Sequence, residues 1–492
     1  MQPVRLSKSR LMNYLQCPKR LHLQTFGPEV AQESAATQRA YSLGHSVGEI
    51  ARRLVPDGHL IEHDDELNKA LAATQAALKG DPARPLFEAT FNYQDVLIRA
   101  DVLAPSRARH RLTEVKAASE VKGHYLYDCA IQAWVIEGSG LALEQIELAH
   151  VDTSFVYPGE GDYRGLLTHE DITDQVRSLM DEVPDWVDGA RRLLAGPEPA
   201  ISPGDQCEEP YPCPFIEHCL PAETGYPVTL LPRDRNKKIA TALKIDGYHD
   251  IRDVPEGRLD NPRHEWIRRV TATGNSDLDP KVVEVMRRHG FPRYYIDFET
   301  IQFAVPVWPG TRPYQMLPFQ WSCHTELADG TLDHTEYLGL GAEAPMEGFA
   351  EALISALSKY GDGPVFVYNA SFECGRLQEL ASMFPELAGP LEHVIERIVD
   401  LRPIAEVHYY HPDMRGSWSL KAVLPTIAPE LSYSSLGEVQ DGGAAGAAYL
   451  EILDSRTDND RRSTLVRDLR EYCRRDTLAL VTLARFFSKG TP

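Results

Sequence analysis

Arg293-Tyr294-Tyr295-Ile296-Asp297-Phe298-Glu299-Thr300 reads as a buried β-strand with one chemical face. Side chains alternate along a strand, so Ile296 and Phe298 face a core while Asp297 and Glu299 share the other side. Two further segments stand out beyond this strand. Val365-Phe366-Val367-Tyr368-Asn369-Ala370-Ser371-Phe372-Glu373 is predicted as a strand, a turn and the start of a helix. Leu469-Arg470-Glu471-Tyr472-Cys473-Arg474-Arg475-Asp476 is predicted as a helix, and its Tyr472 and Asp476, four residues apart, lie on one face. Strand and helix patterns alternate from 291 to 492, which predicts an α/β layer.

At roughly 100–200 residues per domain, a chain of 492 residues predicts two to four domains. The expected divisions are 1–225, a mainly helical connector at 226–290, and 291–492. Hydrophobic residues make up 43% and charged residues 25%, which excludes a mainly disordered chain. No apolar run reaches the length of a membrane span and the N-terminus lacks an apolar leader core, so the expectation is a cytoplasmic protein with no membrane partner. The net charge of −21 argues against a protein that simply coats duplex DNA. It is compatible with a nuclease, whose carboxylates hold cations beside a local basic groove. Arg107, Arg109, His110 and Arg111 form one basic run, and Arg233, Arg235, Lys237 and Lys238 another. Each is either such a groove or a solvated face.

The N-terminal region offers a second set of acids. Val96–Leu103 and Leu112–Lys116 are predicted as adjacent strands joined by a basic turn. Glu114 and Lys116 share a face, and Asp101 on the neighbouring strand can reach the same spot. Two carboxylates there would hold a divalent cation that lowers the pKa of a bound water, with Lys116 orienting the water or stabilising the transition state. His45 on a predicted helix, Glu88 before the first strand, and Gln132 on a helix after the hairpin, reached past Tyr125 and Asp128, are candidate neighbours.

Three of the eight cysteines fall within Cys207–Cys219, a proline-rich loop, and Cys17 ends a helix predicted to be capped by a serine. One distant and three clustered thiolates make a four-sulfur site for an Fe–S cluster or zinc.

The first half, about residues 5–222, resembles the RecB-like branch of the PD-(D/E)XK nucleases, with His45, Asp101, Glu114, Lys116 and Gln132 in the family's pattern. Ile136 stands where that family often has a tyrosine. With its cysteines, this half is similar to the iron–sulfur nucleases of CRISPR adaptation and of the AddB type. That likeness implies a [4Fe–4S] cluster on Cys17, Cys207, Cys213 and Cys219, with zinc as the alternative, clamping the two ends of the domain. The second half resembles the DnaQ-like, ribonuclease-H-fold exonucleases of the DEDDy type. That resemblance implies Mg²⁺ or Mn²⁺ held by Asp297, Glu299, Glu373 and Asp476, with Tyr472 positioning the attacking water. Glu373 stands where aspartate is usual, and Asp400 is a further candidate contributor to the ligand set. With Gly416-Ser417-Trp418-Ser419-Leu420-Lys421, residues 290–480 also resemble an uncharacterised bacterial domain often attached to RecB-type nucleases. Trp418 is either a packing residue or a base-stacking one. The combined expectation is a nuclease with two domains, a PD-(D/E)XK restriction-endonuclease-like one and a ribonuclease-H-like one. Its expected substrate is DNA, as single strands or ends, in repair, recombination or defence. RNA, or a single active domain beside a binding module, are the alternatives.

Overall fold

The computed structural model describes residues 5–490 except 33–34, 63–65, 108, 221–223 and 342. The chain is mixed α/β. It divides into two compact units, residues 1–221 with 303–315 and residues 222–302 with 316–492. Residues 226–290, expected as a connector, therefore cluster with the second unit, and residues 303–315 with the first.

The first unit opens with β1 (Leu6–Ser7), α1 (Lys8–Gln16), α2 (Pro18–Phe26), α3 (Ala35–Leu54), β2 (His59–Leu60) and α4 (Leu67–Gly80). The strands β3 (Leu86–Tyr93), β4 (Val96–Ser106) and β5 (Arg109–Lys116) form an antiparallel meander. The helix α5 (Gly123–Gly138) then crosses to β6 (Leu143–Val151), which runs parallel to β5. An edge strand, β7 (Leu167–Asp171), and three helices follow, α6 (Thr173–Met180), α7 (Val183–Leu194) and the single turn α8 (Ile216–Cys219). The sheet order is β2-β3-β4-β5-β6-β7, with β1 parallel to β4. Strand β4 alternates as its sequence requires, with Val96, Ile98, Ala100 and Val102 buried and Arg99 exposed. Helix α5 buries Cys129, Ala130, Ile131, Ala133, Val135 and Ile136, so it lies inside the unit and not on its surface.

The second unit begins with α9 (Lys238–Ile245), α10 (Pro262–Thr273), β8 (Asp277–Leu278) and α11 (Val282–Arg287). Its main sheet follows as β9 (Arg293–Ile301), β10 (Leu317–Glu326) and β11 (Leu332–Leu338), all antiparallel. Then come α12 (Met346–Ser358), β12 (Val365–Val367), α13 (Ala370–Met383), α14 (Ala388–Glu396), β13 (Ile398–Asp400), α15 (Leu401–His408) and β14 (Tyr409–Tyr410). The last elements are α16 (Leu420–Ile427), α17 (Gly442–Leu453) and α18 (Asn459–Lys489). The strand order is β11-β10-β9-β12-β13, and β9, β12 and β13 run parallel. Val228, Leu243, Ile251 and Ile267 join Phe366, Leu401 and Leu480 in one core, which is why the 226–290 segment packs as part of this unit. Asp458 caps α18 by accepting from Asp460 and Arg461, and Gly490 ends it at φ 66°. Leu465, Leu469, Tyr472, Asp476, Leu480 and Leu483 recur at helical spacing, so Tyr472 and Asp476 sit within the buried stripe. Among the described residues no helix is long and apolar enough to cross a membrane.

Candidate active sites

In the second unit, β9 and α18 bring together residues about 175 positions apart in sequence. One ligand atom each from Asp297, Glu299 and Cys473 lie within 4.8 Å of one another. The Cys473 Sγ is also 3.7 Å from the Asp297 carbonyl oxygen. Asp476, one turn along α18, accepts a hydrogen bond from the Tyr433 hydroxyl. Tyr472 is buried, its ring 6.1 Å from that of Tyr433. Glu373 enters from the first turn of α13. It is 3% exposed, and its Oε2 has no hydrogen-bond partner among the described residues. The Lys421 ammonium lies 5.3 Å from the centre of the Tyr433 ring and 5.7 Å from that of Tyr472, and donates to the Gln440 carbonyl at 2.6 Å.

Burial dominates the electrostatics. It pushes Asp297 and Glu299 far above the usual carboxylate range, reinforced in both by the charge of Asp476. Burial also raises Glu373 to about 8 and Asp476 to about 6. Such a group either holds protons or binds cations, because like charges cannot ionise together in a site closed to water. Its donor set, carboxylate oxygens plus one unpartnered buried oxygen, fits Mg²⁺ or Mn²⁺. The neighbouring Cys473 thiol, itself pushed up by burial, would suit a softer ion such as zinc.

A pH dependence follows. An acid raised in the folded state leaves stability intact at low pH. Between 4.5 and about 8, the ordinary and folded values for Glu373, the unfolded chain ionises while the folded one does not. With a chelator present, the calorimetric transition of the second unit should therefore fall in temperature as pH rises across that window. Mn²⁺ should raise it more at pH 8 than at pH 5.

Asp400 stands close enough for its charge to act on Glu373, with its carboxylate engaged by backbone donors. Its carboxylate accepts from the backbone N–H groups of Asn369 at 3.2 Å, Ala370 at 2.9 Å and Arg402 at 2.9 Å, capping α15 and fixing the start of α13. Trp418 is a packing residue, 4% exposed and donating from Nε1 to the Tyr409 carbonyl at 2.8 Å.

In the first unit, β5 presents Glu114 and Lys116 to α5. Lys116 Nζ is 2.7 Å from Glu114 Oε1 and 2.5 Å from Asp128 Oδ2. Gln132 Nε2 donates to Glu114 Oε2 at 2.7 Å and to Asp128 Oδ1 at 3.2 Å. Asp101 accepts from the Val115 N–H at 2.8 Å. Sequence reasoning missed Lys8, the first residue of α1, whose ammonium lies 2.9 Å from Glu114 Oε1 and 3.1 Å from Asp128 Oδ1. Asp128, noted in the sequence only as a neighbour, is a full member of this network. Burial would raise Glu114, but Lys116 and Lys8 outweigh it and hold the carboxyl well below its usual range. Burial and the charge of Glu114 push Asp101 up to about 8.

The structure does not bring His45 to this group. Alternate residues of β5 face opposite ways, and α3 packs through Val47 and Ile50 on the side of Val115, away from Glu114. His45 is solvent-exposed, with Nε2 3.3 Å from Glu49. Glu88 lies within β3, where its φ is 55°, 3.4 Å from Arg52.

The four candidate cluster cysteines gather at one end of this unit. Cys17 joins α1 to α2, and Cys207 and Cys213 pack with Leu23 and Phe215, with Cys219 against them. The Cys213 N–H donates to the Cys207 carbonyl at 2.8 Å. Gln16 ties α1 to the loop through the Gln206 carbonyl at 2.8 Å and the Tyr211 carbonyl at 2.6 Å. Burial raises the Cys219 thiol, and the charges of Cys213, Cys207 and Cys17 reinforce the effect. No three of these sulfurs lie within 4.8 Å of one another. Thiolates on one tetrahedral zinc, with Zn–S near 2.3 Å, stand about 3.8 Å apart.

Residues 294–419 match a family model described as a domain of unknown function, DUF2779. That stretch holds Asp297, Glu299 and Glu373 and ends before Tyr472 and Asp476. The chain is also similar to the uncharacterized protein UU173 of Ureaplasma parvum serovar 3, with 26% identity over 219 residues, covering 40% of this chain and 31% of that protein. The chain thus spans about a third of that relative's length. No solved structure matches.

Proposed function

We propose that this chain is a metal-dependent nuclease with two centres, one in a PD-(D/E)XK-like unit and one in a ribonuclease-H-like unit of the DnaQ type. The observation that carries the reading is the second unit's buried group of Asp297, Glu299, Glu373 and Asp476, gathered from three distant segments and holding more acid than its surroundings neutralise. The central strand β9 with its antiparallel and parallel neighbours, and the meander of the first unit followed by a parallel β6, are compatible with the two folds.

Mg²⁺ or Mn²⁺ held by these acids would polarise the phosphodiester and supply a hydroxide nucleophile. The chain's own groups do the rest. Tyr472 and Tyr433 close the site beside Asp476, and Lys421 offers positive charge to the anionic transition state. In the first unit, Lys116 stands beside Glu114 and Asp128 in the same capacity. Cys17, Cys207, Cys213 and Cys219 would hold a [4Fe–4S] cluster with a structural role, joining α1 and α2 to the 204–219 loop. The proposed setting is the cytoplasm, where free thiols persist and all eight cysteines are unpaired. The cluster has its own test. Protein isolated without oxygen should carry about four irons per chain. Cys213→Ser should lose the iron and lower the melting temperature of the first unit, whereas Cys374→Ser should do neither.

A second reading, with one working centre, is favoured by one observation. Both oxygens of Glu114 are already engaged by Lys8, Lys116 and Gln132, with which a cation there would compete, while among the described residues no lysine or arginine forms an ion pair with Asp297, Glu299, Glu373 or Asp476. End-labelled DNA and RNA, single- and double-stranded, incubated with Mn²⁺ and wild type, Lys116→Ala or Asp297→Asn, test both readings. Two centres give two product ladders, each lost in one variant. A single ladder, lost only in Asp297→Asn, makes the first unit a binding module. No cleavage of any strand by the wild type overturns the proposal.

A further inference from the structure

Arg233, Asp234, Arg235 and Lys237 of the basic run have no part in either centre, yet they line a shallow, open pocket of about 410 Å³ in the second unit. Arg415-Gly416-Ser417 line it as well. Gly416 seals the seam: its φ is 77°, and a Cβ there would lie 2.0 Å from the Leu230 carbonyl oxygen. Four cationic side chains thus converge in a protein of net charge −21. Arg233 pairs at 2.8 Å with Glu406, a carboxylate that Arg263 and Arg402 share. The Asp234 carboxylate is occupied by the N–H groups of Ile239 and Ala240, each at 2.9 Å. Among the described residues no carboxylate pairs with Arg235, Lys237 or Arg415. Lys237 donates to the Thr229 carbonyl at 3.2 Å, and Arg415 to the Gly225 carbonyl at 3.0 Å while its guanidinium lies 5.9 Å from the centre of the Tyr226 ring. Arg233, Lys237 and Arg415 also hold φ of 58°, 52° and 48°, a region that costs energy for long side chains and that persists where the surroundings enforce it.

The pocket and the acid site are two ends of one short segment. Arg415 lines the pocket, and six residues later Lys421 lies beside Tyr472 and Tyr433. Six residues span at most about 20 Å. Between them, the Trp418 carbonyl accepts from the Tyr368 hydroxyl at 2.8 Å, just before the helix that carries Glu373. A surplus of cations beside an acidic metal site suits a ligand that is itself polyanionic and longer than the site.

We infer that the Arg235–Lys237–Arg415 pocket holds backbone phosphates of a single nucleic-acid strand whose end reaches the Asp297 centre. The strand's destination rests on the nuclease reading, whereas the phosphate contacts rest on the pocket alone. Binding of a fluorescent single-stranded oligonucleotide to the full chain is to be followed by anisotropy from 50 to 200 mM salt, with a chelator present so that no strand is cut. Arg235→Gln with Lys237→Gln changes only exposed side chains. Losing two phosphate contacts should reduce the slope of log K against log salt by about 1.4, and weaken binding about 25-fold at 100 mM salt. Arg287→Gln with Arg288→Gln, an equal charge change at two exposed residues at the C-terminal end of α11, should leave the slope unaltered. Equal slopes for wild type and the pocket variant would overturn the assignment and leave the nuclease reading standing. The same result, with inorganic phosphate raising the melting temperature of wild type only, would give the pocket to a free phosphate ligand instead of a strand. A wild type that binds no strand would overturn both readings.

Discussion

Asp297→Asn should abolish hydrolysis at the second centre, by a factor on the order of 10³, while leaving the metal-free protein at least as stable as wild type. The two effects have one cause. Asp297 is buried beside Asp476, Glu299 and Glu373, whose charges all oppose its ionisation, so without metal it is held as the neutral acid. Asparagine matches that neutral acid in shape and charge, and unlike it cannot be forced to ionise at high pH, so folding loses little. With metal, the same substitution deletes a ligand where charge develops in the transition state. A structural carboxylate would behave in the opposite way, costing stability and sparing turnover. Steady-state rates on a short labelled strand, with melting curves in chelator, separate the two. A variant that keeps its rate but melts well below wild type would show Asp297 to be structural.

Glu114→Gln should destabilise the first unit by about 3 kcal/mol. Glu114 is 2% exposed and accepts from both Lys8 and Lys116. Removing one partner of a buried pair costs roughly 3–5 kcal/mol, because the other charges stay buried and lose their compensation. The lower end applies here, because the two lysine side chains keep about a fifth of their surface in water. For a unit of this size the loss corresponds to about 6–12 °C in melting temperature. Because the folded carboxyl is held below its ordinary range, its contribution is present at neutral pH and fades as acid protonates it. The gap between wild type and Glu114→Gln should therefore narrow below pH 4. A shift under 2 °C at pH 7 would mean that the network contributes little to stability.

These centres were legible in the sequence to the extent that their signals are local. Asp297 and Glu299 declare themselves by strand alternation, and Tyr472 with Asp476 by helical spacing. The pairing of β4 with β5 was readable from two apolar runs around a basic turn. The partners that set the chemistry were not readable. Lys8 reaches Glu114 across 106 residues, Tyr433 reaches Asp476 across 43, and Cys473 meets Asp297 across 176. No periodicity encodes such encounters, because they depend on how finished elements pack. Lys421 lay within a segment the sequence marked as distinctive, although its counter-charge role required the fold. His45 shows the converse failure. A helix with the right residue still misses the site when its apolar stripe, Val47 and Ile50, packs on the other face of the sheet. Residues 226–290 were readable as helical, but apolar spacing alone does not reveal that Val228, Leu243 and Ile267 share a core with Phe366 and Leu480.

The most direct test of the metal centre is a calorimetric titration of the full chain with Mn²⁺ at pH 7 in buffers of different ionisation enthalpy, on wild type and Asp297→Asn. Carboxyls held as neutral acids must give up protons to bind a cation. The expected result is saturable binding by wild type with net proton release, and loss of that proton-linked component in the variant. Absence of binding, or binding without proton release that survives Asp297→Asn, would contradict a buried metal centre in the second unit.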